Sequence, residues 1–180
     1  SLSREDPVVL VEPVDAVPFE RSGSEDMVRL ASAVFLQYPD IFDSSVESSS
    51  VSVVRYIVNS EGTRVRTFDT YYQTYIQGYV RAPDGMLLHD SVVFYGRTAD
   101  DMPDAEAAVN AASELAGYLM KLKDAPVLDP ATVPVLMSPQ ATGVFFHETI
   151  GHRLEGHRQD DQDEGRTFKS YLEQEILPPF

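Results

Sequence analysis

The chain contains no cysteine and no tryptophan. The first absence excludes a disulfide scaffold, a thiol nucleophile, a cysteine-built zinc ribbon and an iron–sulfur site within these residues. Basic residues are also scarce, with 14 Lys and Arg against 29 Asp and Glu, a formal net charge of −15. A field of that sign repels phosphate backbones and anionic lipid headgroups, which argues against direct nucleic-acid contact and against a membrane partner. No apolar run reaches the roughly 18 residues of a membrane span, and the opening stretch from Ser1 to Pro7 lacks the apolar core of a signal peptide. With 10 Gly and 12 Pro in 180 residues, collagen-like and low-complexity classes are excluded too.

What remains is 43% hydrophobic and 24% charged, the composition of a globular chain with a sizeable core. A start without Met and an end on Leu177-Pro178-Pro179-Phe180 read as a piece of a longer protein. The expected organisation is one α+β domain. It comprises an extended lead-in over 1–20, a helix, β-meander and helix over 21–126, a strand and a motif helix over 127–158, and an acidic tail over 159–180.

Residues 8–17 are apolar but broken by Pro13, with Pro18 following, which suits an extended segment or an edge strand. Ser22 followed by Glu25 forms a capping-box pattern, and Met27, Leu30, Ala31, Val34 and Phe35 then make one apolar stripe, predicting a helix over 24–38 that Pro39 ends. From Val51 the period drops to two, with turn signals at Asn59-Ser60-Glu61-Gly62 and Ala82-Pro83-Asp84-Gly85. An antiparallel sheet of about four or five strands follows, including 51–58, 64–68, 70–80 and 86–95, with a bend at Asp69. Tyr71, Tyr75 and Tyr79 share one face and Tyr72, Ile76 and Val80 the other. Base stacking on such a ladder needs basic residues along the backbone track, so these rings are read as packing against a helix or another sheet.

An alanine-rich stripe from Ala105 to Leu119 predicts a second helix over 103–123, with Lys121 and Lys123 favouring the dipole at its end. Residues 133–137 form a short strand candidate. Ser138-Pro139 then marks a helix start, a capping residue followed by Pro at the first position.

That last helix carries the chemistry. Three of the four histidines lie within eleven residues, in His147-Glu148-Thr149-Ile150-Gly151-His152 and on to His157. Zinc-protease helices place two His four apart with a Glu beside the first, so that both imidazoles share a face. Here the spacing is five, and five residues of α-helix turn through about 500°, leaving the two rings roughly 140° apart. A π-turn, or a break at Gly151, is therefore predicted between Glu148 and His152. With that irregularity His147 and His152 become metal ligands, zinc by the chemistry of two nitrogens, and Glu148 the general base toward a metal-activated water. The competing reading is an exposed helix end with solvated histidines. Against it stands the apolar run Gly143-Val144-Phe145-Phe146, expected to bury the helix and leave His147 at the edge of a core. His157 reads as structural or as supporting the ligands from behind, together with Glu155, and His89 as structural. Glu155, Asp160, Asp161 and Asp163 are the available oxygen donors for a further ligand.

The segment from Gly143 to Arg158, with Glu164-Gly165-Arg166-Thr167-Phe168 after it, resembles the signature of the TldD/PmbA family, zinc metallopeptidases with an HExxxH motif once described as modulators of DNA gyrase. The stretch from Tyr56 to Arg64 resembles the family's strand and turn upstream of that helix. The resemblance implies a cytoplasmic peptidase acting on small or unfolded peptides, dimeric with itself or with a paralogue, although an exported parent stays open. It also implies His147 and His152 as zinc ligands, Glu148 as catalytic base, and a third ligand, a Cys, that these residues lack. The piece alone is then expected to bind Zn²⁺ weakly, to be inactive, and to self-associate through surface left uncovered. An alternative from another class is a non-catalytic protein-interaction or assembly module of an inactivated homologue. An acidic tail mobile over 159–164, and a last helix or strand over 167–176, complete the expectations.

Overall fold

A computed structural model describes residues 6–15, 20–159, 166–171 and 173–176. The architecture is α+β, and the chain forms two compact units, Ser1–Val127 and Leu128–Phe180.

In the first unit a four-stranded sheet, mixed but mostly antiparallel, is built on strand β3 (Arg64–Arg81). Strand β2 (Ile41–Val58) pairs with β3 along one side over its whole length, in the register Val51↔Tyr71. The other side of β3 is shared. Strand β1 (Val9–Val11) lies parallel to Arg64–Arg66 as the expected edge strand, and β4 (Leu87–Gly96) pairs antiparallel from Tyr72↔Gly96 to Arg81↔Leu87. Both predicted hairpin turns form. At the first, the Asn59 side-chain oxygen accepts from the N–H groups of Glu61 and Thr63 at 3.1 and 3.0 Å, and Gly62 takes a φ of 102° that favours glycine.

Two helices cover one face. Helix α1 (Arg21–Val34) buries Met27, Ala31 and Val34, with Phe35 in the 3₁₀ turn that follows, whereas Leu30 stays exposed. Ser22 does not cap it. The helix starts one turn earlier, the Ser22 hydroxyl donates to the Glu20 carboxylate, and Glu25 pairs with Arg21, so the capping box has no free partners. Helix α2 (Ala105–Lys123) begins after Asp104, whose carboxylate accepts the Ala107 N–H at 2.8 Å. It buries Ala108, Ala112, Leu115, Ala116 and Leu119. Alanines permit a close approach, and Gly78 on β3 completes it. A Cβ there would lie 2.8 Å from Leu119 Cδ1. Opposite these helices Ile76, Val80 and Tyr72 point inward, and the fully buried Thr74 hydroxyl bonds Ser48 at 3.3 Å.

Several sequence expectations need correcting. β2 begins at Ile41, well before Val51, because Ser-rich residues 44–50 carry no apolar alternation yet still pair with β3. There is no bend at Asp69. Its carboxylate lies 2.7 Å from Arg55 and 2.9 Å from Arg97, and these cross-strand partners satisfy a charge that sequence alone assigns to a bend. Tyr71, Tyr75 and Tyr79 are half-buried on the face opposite the helices, where Tyr71 stacks on Tyr95 at 5.9 Å and Tyr79 on His89 at 5.3 Å; the expected packing against helices falls to the other face, with Tyr72, Ile76 and Val80. Residues 133–137 form no strand. Pro134 removes a ladder donor, and the segment is exposed.

Candidate metal centre

In the second unit, helix α3 (Pro139–Phe146) starts as expected, with the Ser138 hydroxyl accepting from Ala141 N–H at 3.2 Å and Pro139 at the first position. At His147–Gly151 the chain widens into a π-helix, then resumes as an α-turn at His152–Leu154. The expected irregularity is therefore a π-turn, and Gly151 keeps ordinary helical dihedrals, φ −54° and ψ −56°. The defining bond joins the two candidate ligands: the N–H of His152 donates to the carbonyl of His147, five residues back. Within the wide turn the Thr149 hydroxyl donates to the Phe145 carbonyl at 2.6 Å.

The wider turn has the geometric effect that the spacing required. His147 and His152 face each other with ring centroids 4.5 Å apart and planes at 72°. The Glu148 carboxylate lies between them, 3.9 Å from His147 Nε2 and 3.7 Å from His152 Nε2. One ligand atom from each of the three residues falls within 4.8 Å of the others, a group that could hold a metal ion. Two imidazole nitrogens are donors that suit zinc, and the Glu148 carboxylate stands beside them.

Behind the ligands stands a chain of supporting contacts. Glu155 Oε1 lies 2.9 Å from His152 Nδ1, and its Oε2 accepts from Arg158 Nε at 2.7 Å. With Nδ1 engaged, His152 presents Nε2 toward Glu148 and His147. The hydrogen bond to His152 holds the Glu155 carboxyl below its ordinary range, aided by Arg158, so the contact persists in more acidic solution than a free carboxylate allows. His157 Nε2 lies 3.6 Å from the same carboxylate, which places it in support of Glu155 and away from the ligand group. Asp160, Asp161 and Asp163 lie outside the described residues, as does most of the acidic tail; residues Arg166–Tyr171 form a 3₁₀ helix. Arg158 was missed by sequence reading, although its i,i+3 spacing from Glu155 on a helical segment is a recognisable ion-pair signal.

One expectation fails. α3 buries no residue: Val144, Phe145 and Phe146 are 62%, 47% and 50% exposed, and the two Phe rings meet edge to face at 5.7 Å. His147 therefore stands on an open surface, 64% exposed, while His152 at 31% is the more sheltered ligand. Among the described residues of its unit none is a buried hydrophobic side chain for the apolar run to pack on, and local hydrophobicity does not specify a partner surface.

Comparison with family models, with curated proteins and with solved structures yields no match to this chain. Among the described residues no helix is long and apolar enough to cross a membrane.

Replacing Glu155 with alanine is expected to weaken zinc binding by about 10- to 100-fold, the usual cost of losing a carboxylate that orients a ligating imidazole. Competition titration against a zinc-binding dye measures it, and an unchanged affinity would remove Glu155 from the site.

Proposed function

We infer that the chain is the HExxxH-bearing part of a TldD/PmbA-like zinc metallopeptidase that hydrolyses small or unfolded peptides. The observation that carries this reading is the π-turn, whose bond from His152 N–H to the His147 carbonyl brings two imidazoles and Glu148 into one group. Irregular turns of this kind are rare and cluster at functional sites. A solvated helix end has no use for one.

His147 and His152 would hold the ion through neutral imidazole. Bound there, zinc would act as a Lewis acid on a peptide carbonyl and on water. Glu148, exposed and beside both rings, is placed to take a proton from the attacking water and return it to the leaving amine. Glu155 and Arg158 keep the His152 ring from swinging away. The open surface around His147 leaves room for an extended peptide. Two imidazoles alone leave zinc short of the family's third ligand, a Cys, so these 180 residues are expected to bind it weakly and to turn over no peptide. The parent protein is read as a cytoplasmic homodimer or a dimer with a paralogue.

The test is peptide cleavage by the parent protein with and without Glu148→Gln. Hydrolysis should fall by about 10²- to 10⁴-fold with zinc content unchanged, the range expected for loss of a general base. Equal activity would remove Glu148 from the mechanism.

A further inference from the structure

Two side chains of β3 carry hydroxyl groups into the buried layer under the helices. Thr74 is satisfied there, 3.3 Å from Ser48 Oγ and 3.6 Å from Met102 Sδ. Tyr72 is 4% exposed, and among the described residues its hydroxyl has no hydrogen-bond partner. A buried tyrosine hydroxyl ordinarily finds one, so this group calls for an explanation. The Tyr72 side chain lines a pocket of about 400 Å³, bounded by the first turn of α1, the start of α2 and the 3₁₀ turn Ala99–Asp101. That volume lies in the range of small-molecule sites.

The lining also fixes the sign of the charge that fits. Glu20, Asp100 and Asp104 line the pocket, and no basic side chain does. Two of these carboxylates are engaged, Glu20 by the Ser22 hydroxyl and Asp104 by the Ala107 N–H at 2.8 Å. Asp100 is exposed and has no partner among the described residues. The three do not converge on one point: among the described residues only His147, Glu148 and His152 bring three ligand atoms close enough to hold a metal ion. A rim so spread suits a larger cation. The rest of the lining includes Met27 and Met102, whose thioethers adapt to the shape of an apolar group. A net charge of −15 adds a field that draws cations and repels anions.

We propose that this pocket binds a small organic ammonium carrying an apolar body. The Tyr72 oxygen accepts an N–H of the positive head, the carboxylates, Asp100 foremost, supply the opposite charge, and the body lies against Met27 and Met102. The site belongs to the first unit alone, and its test reads neither zinc nor peptide cleavage.

The methionines are Met27, Met86, Met102, Met120 and Met137, so methyl-labelled chain gives one NMR signal for each, two of them from the pocket. Titration with phenethylammonium should move the Met27 and Met102 signals to saturation with a Kd below about 1 mM, leaving the other three in place. Phenethyl alcohol, the same ring with a neutral head, should bind at least about ten-fold more weakly, and hydrocinnamate, with a negative head, should not saturate. Tyr72→Phe should weaken the ammonium by about ten-fold, the loss of one hydrogen bond to a charged group. Its denaturation midpoint should not fall, because the hydroxyl has no partner in the chain to lose. Asp100→Asn should weaken the ammonium by about three- to ten-fold at low salt and leave the alcohol unaffected.

Methyl shifts that grow without saturating would show attraction to the net charge alone, and equal affinity for the three probes would show an unselective apolar cleft. Either result would overturn the proposal. So would a Tyr72→Phe variant that binds the ammonium as the wild type does, its hydroxyl then being satisfied by water. A Tyr72→Phe variant that loses stability or fails to fold would assign the hydroxyl to the fold, with the same consequence. Wild-type affinity in Asp100→Asn would mean that charge does not select the ligand, and would overturn the proposal as well.

Discussion

Replacing His152 with alanine is expected to lower the zinc affinity of the chain by at least about 100-fold, which is about 2.7 kcal/mol of binding free energy. The change removes one of two imidazoles and strands the contacts behind it, since Glu155 then has no ring to orient. His147→Ala should match it, because each variant leaves a single imidazole beside Glu148. His157→Ala should bind nearly as the wild type does, since His157 reaches only the Glu155 carboxylate. Isothermal titration with Zn²⁺ measures all three. Wild-type affinity in His152→Ala would mean that the ion, where it binds, is held elsewhere, and tight stoichiometric binding by the unmodified chain would reveal a third ligand beyond His147 and His152.

Leu119→Ala is expected to destabilise the first unit by about 2–5 kcal/mol, the range for a buried leucine cut back to alanine. Leu119 is fully buried, and its Cδ1 fills the space that Gly78 leaves open on β3. That contact makes a sharper test available. Gly78→Ala in the wild type forces the new methyl group toward Leu119, Ile41 and Phe35, whereas in Leu119→Ala the same methyl group enters the vacated cavity. The double variant should therefore be more stable than the sum of the single losses requires. Chemical denaturation of the four proteins measures the coupling; strict additivity would show that the helix and strand do not meet at this point.

Much of the site was legible because its constraint is local. Two histidines five apart cannot share a face of an α-helix, so spacing alone demanded an irregular turn, and the π-turn at His147–Gly151 meets that demand. Ser138-Pro139 likewise acts on its own neighbours, through one hydroxyl and one fixed dihedral. What spacing did not reveal was exposure. Gly143-Val144-Phe145-Phe146 looks like a buried run, yet it lies on an open surface, because burial depends on which distant residues arrive and not on hydrophobicity. Arg158 escaped notice for a related reason: its role exists only once Glu155 turns toward His152.

In the sheet the same division holds. Alternation marked the later part of β2 and both hairpin turns. It said nothing of residues 44–50, where serines pair with β3 through backbone groups that carry no side-chain signature. Asp69 reads as a bend between two strands until Arg55 and Arg97 are brought beside it from neighbouring strands.

The sequence by itself determined the helices that flank the sheet, the two turns, the absence of thiol chemistry and the need for an irregular turn in the histidine segment. Each of these follows from residues adjacent in the chain or from composition. Only the tertiary structure decided which face of the aromatic strand meets the helices, that the motif helix is open, that Glu155 and Arg158 stand behind His152, and that β2 pairs with β3 over its full length. Those outcomes depend on contacts between residues far apart in sequence, and periodicity carries no record of which surfaces meet.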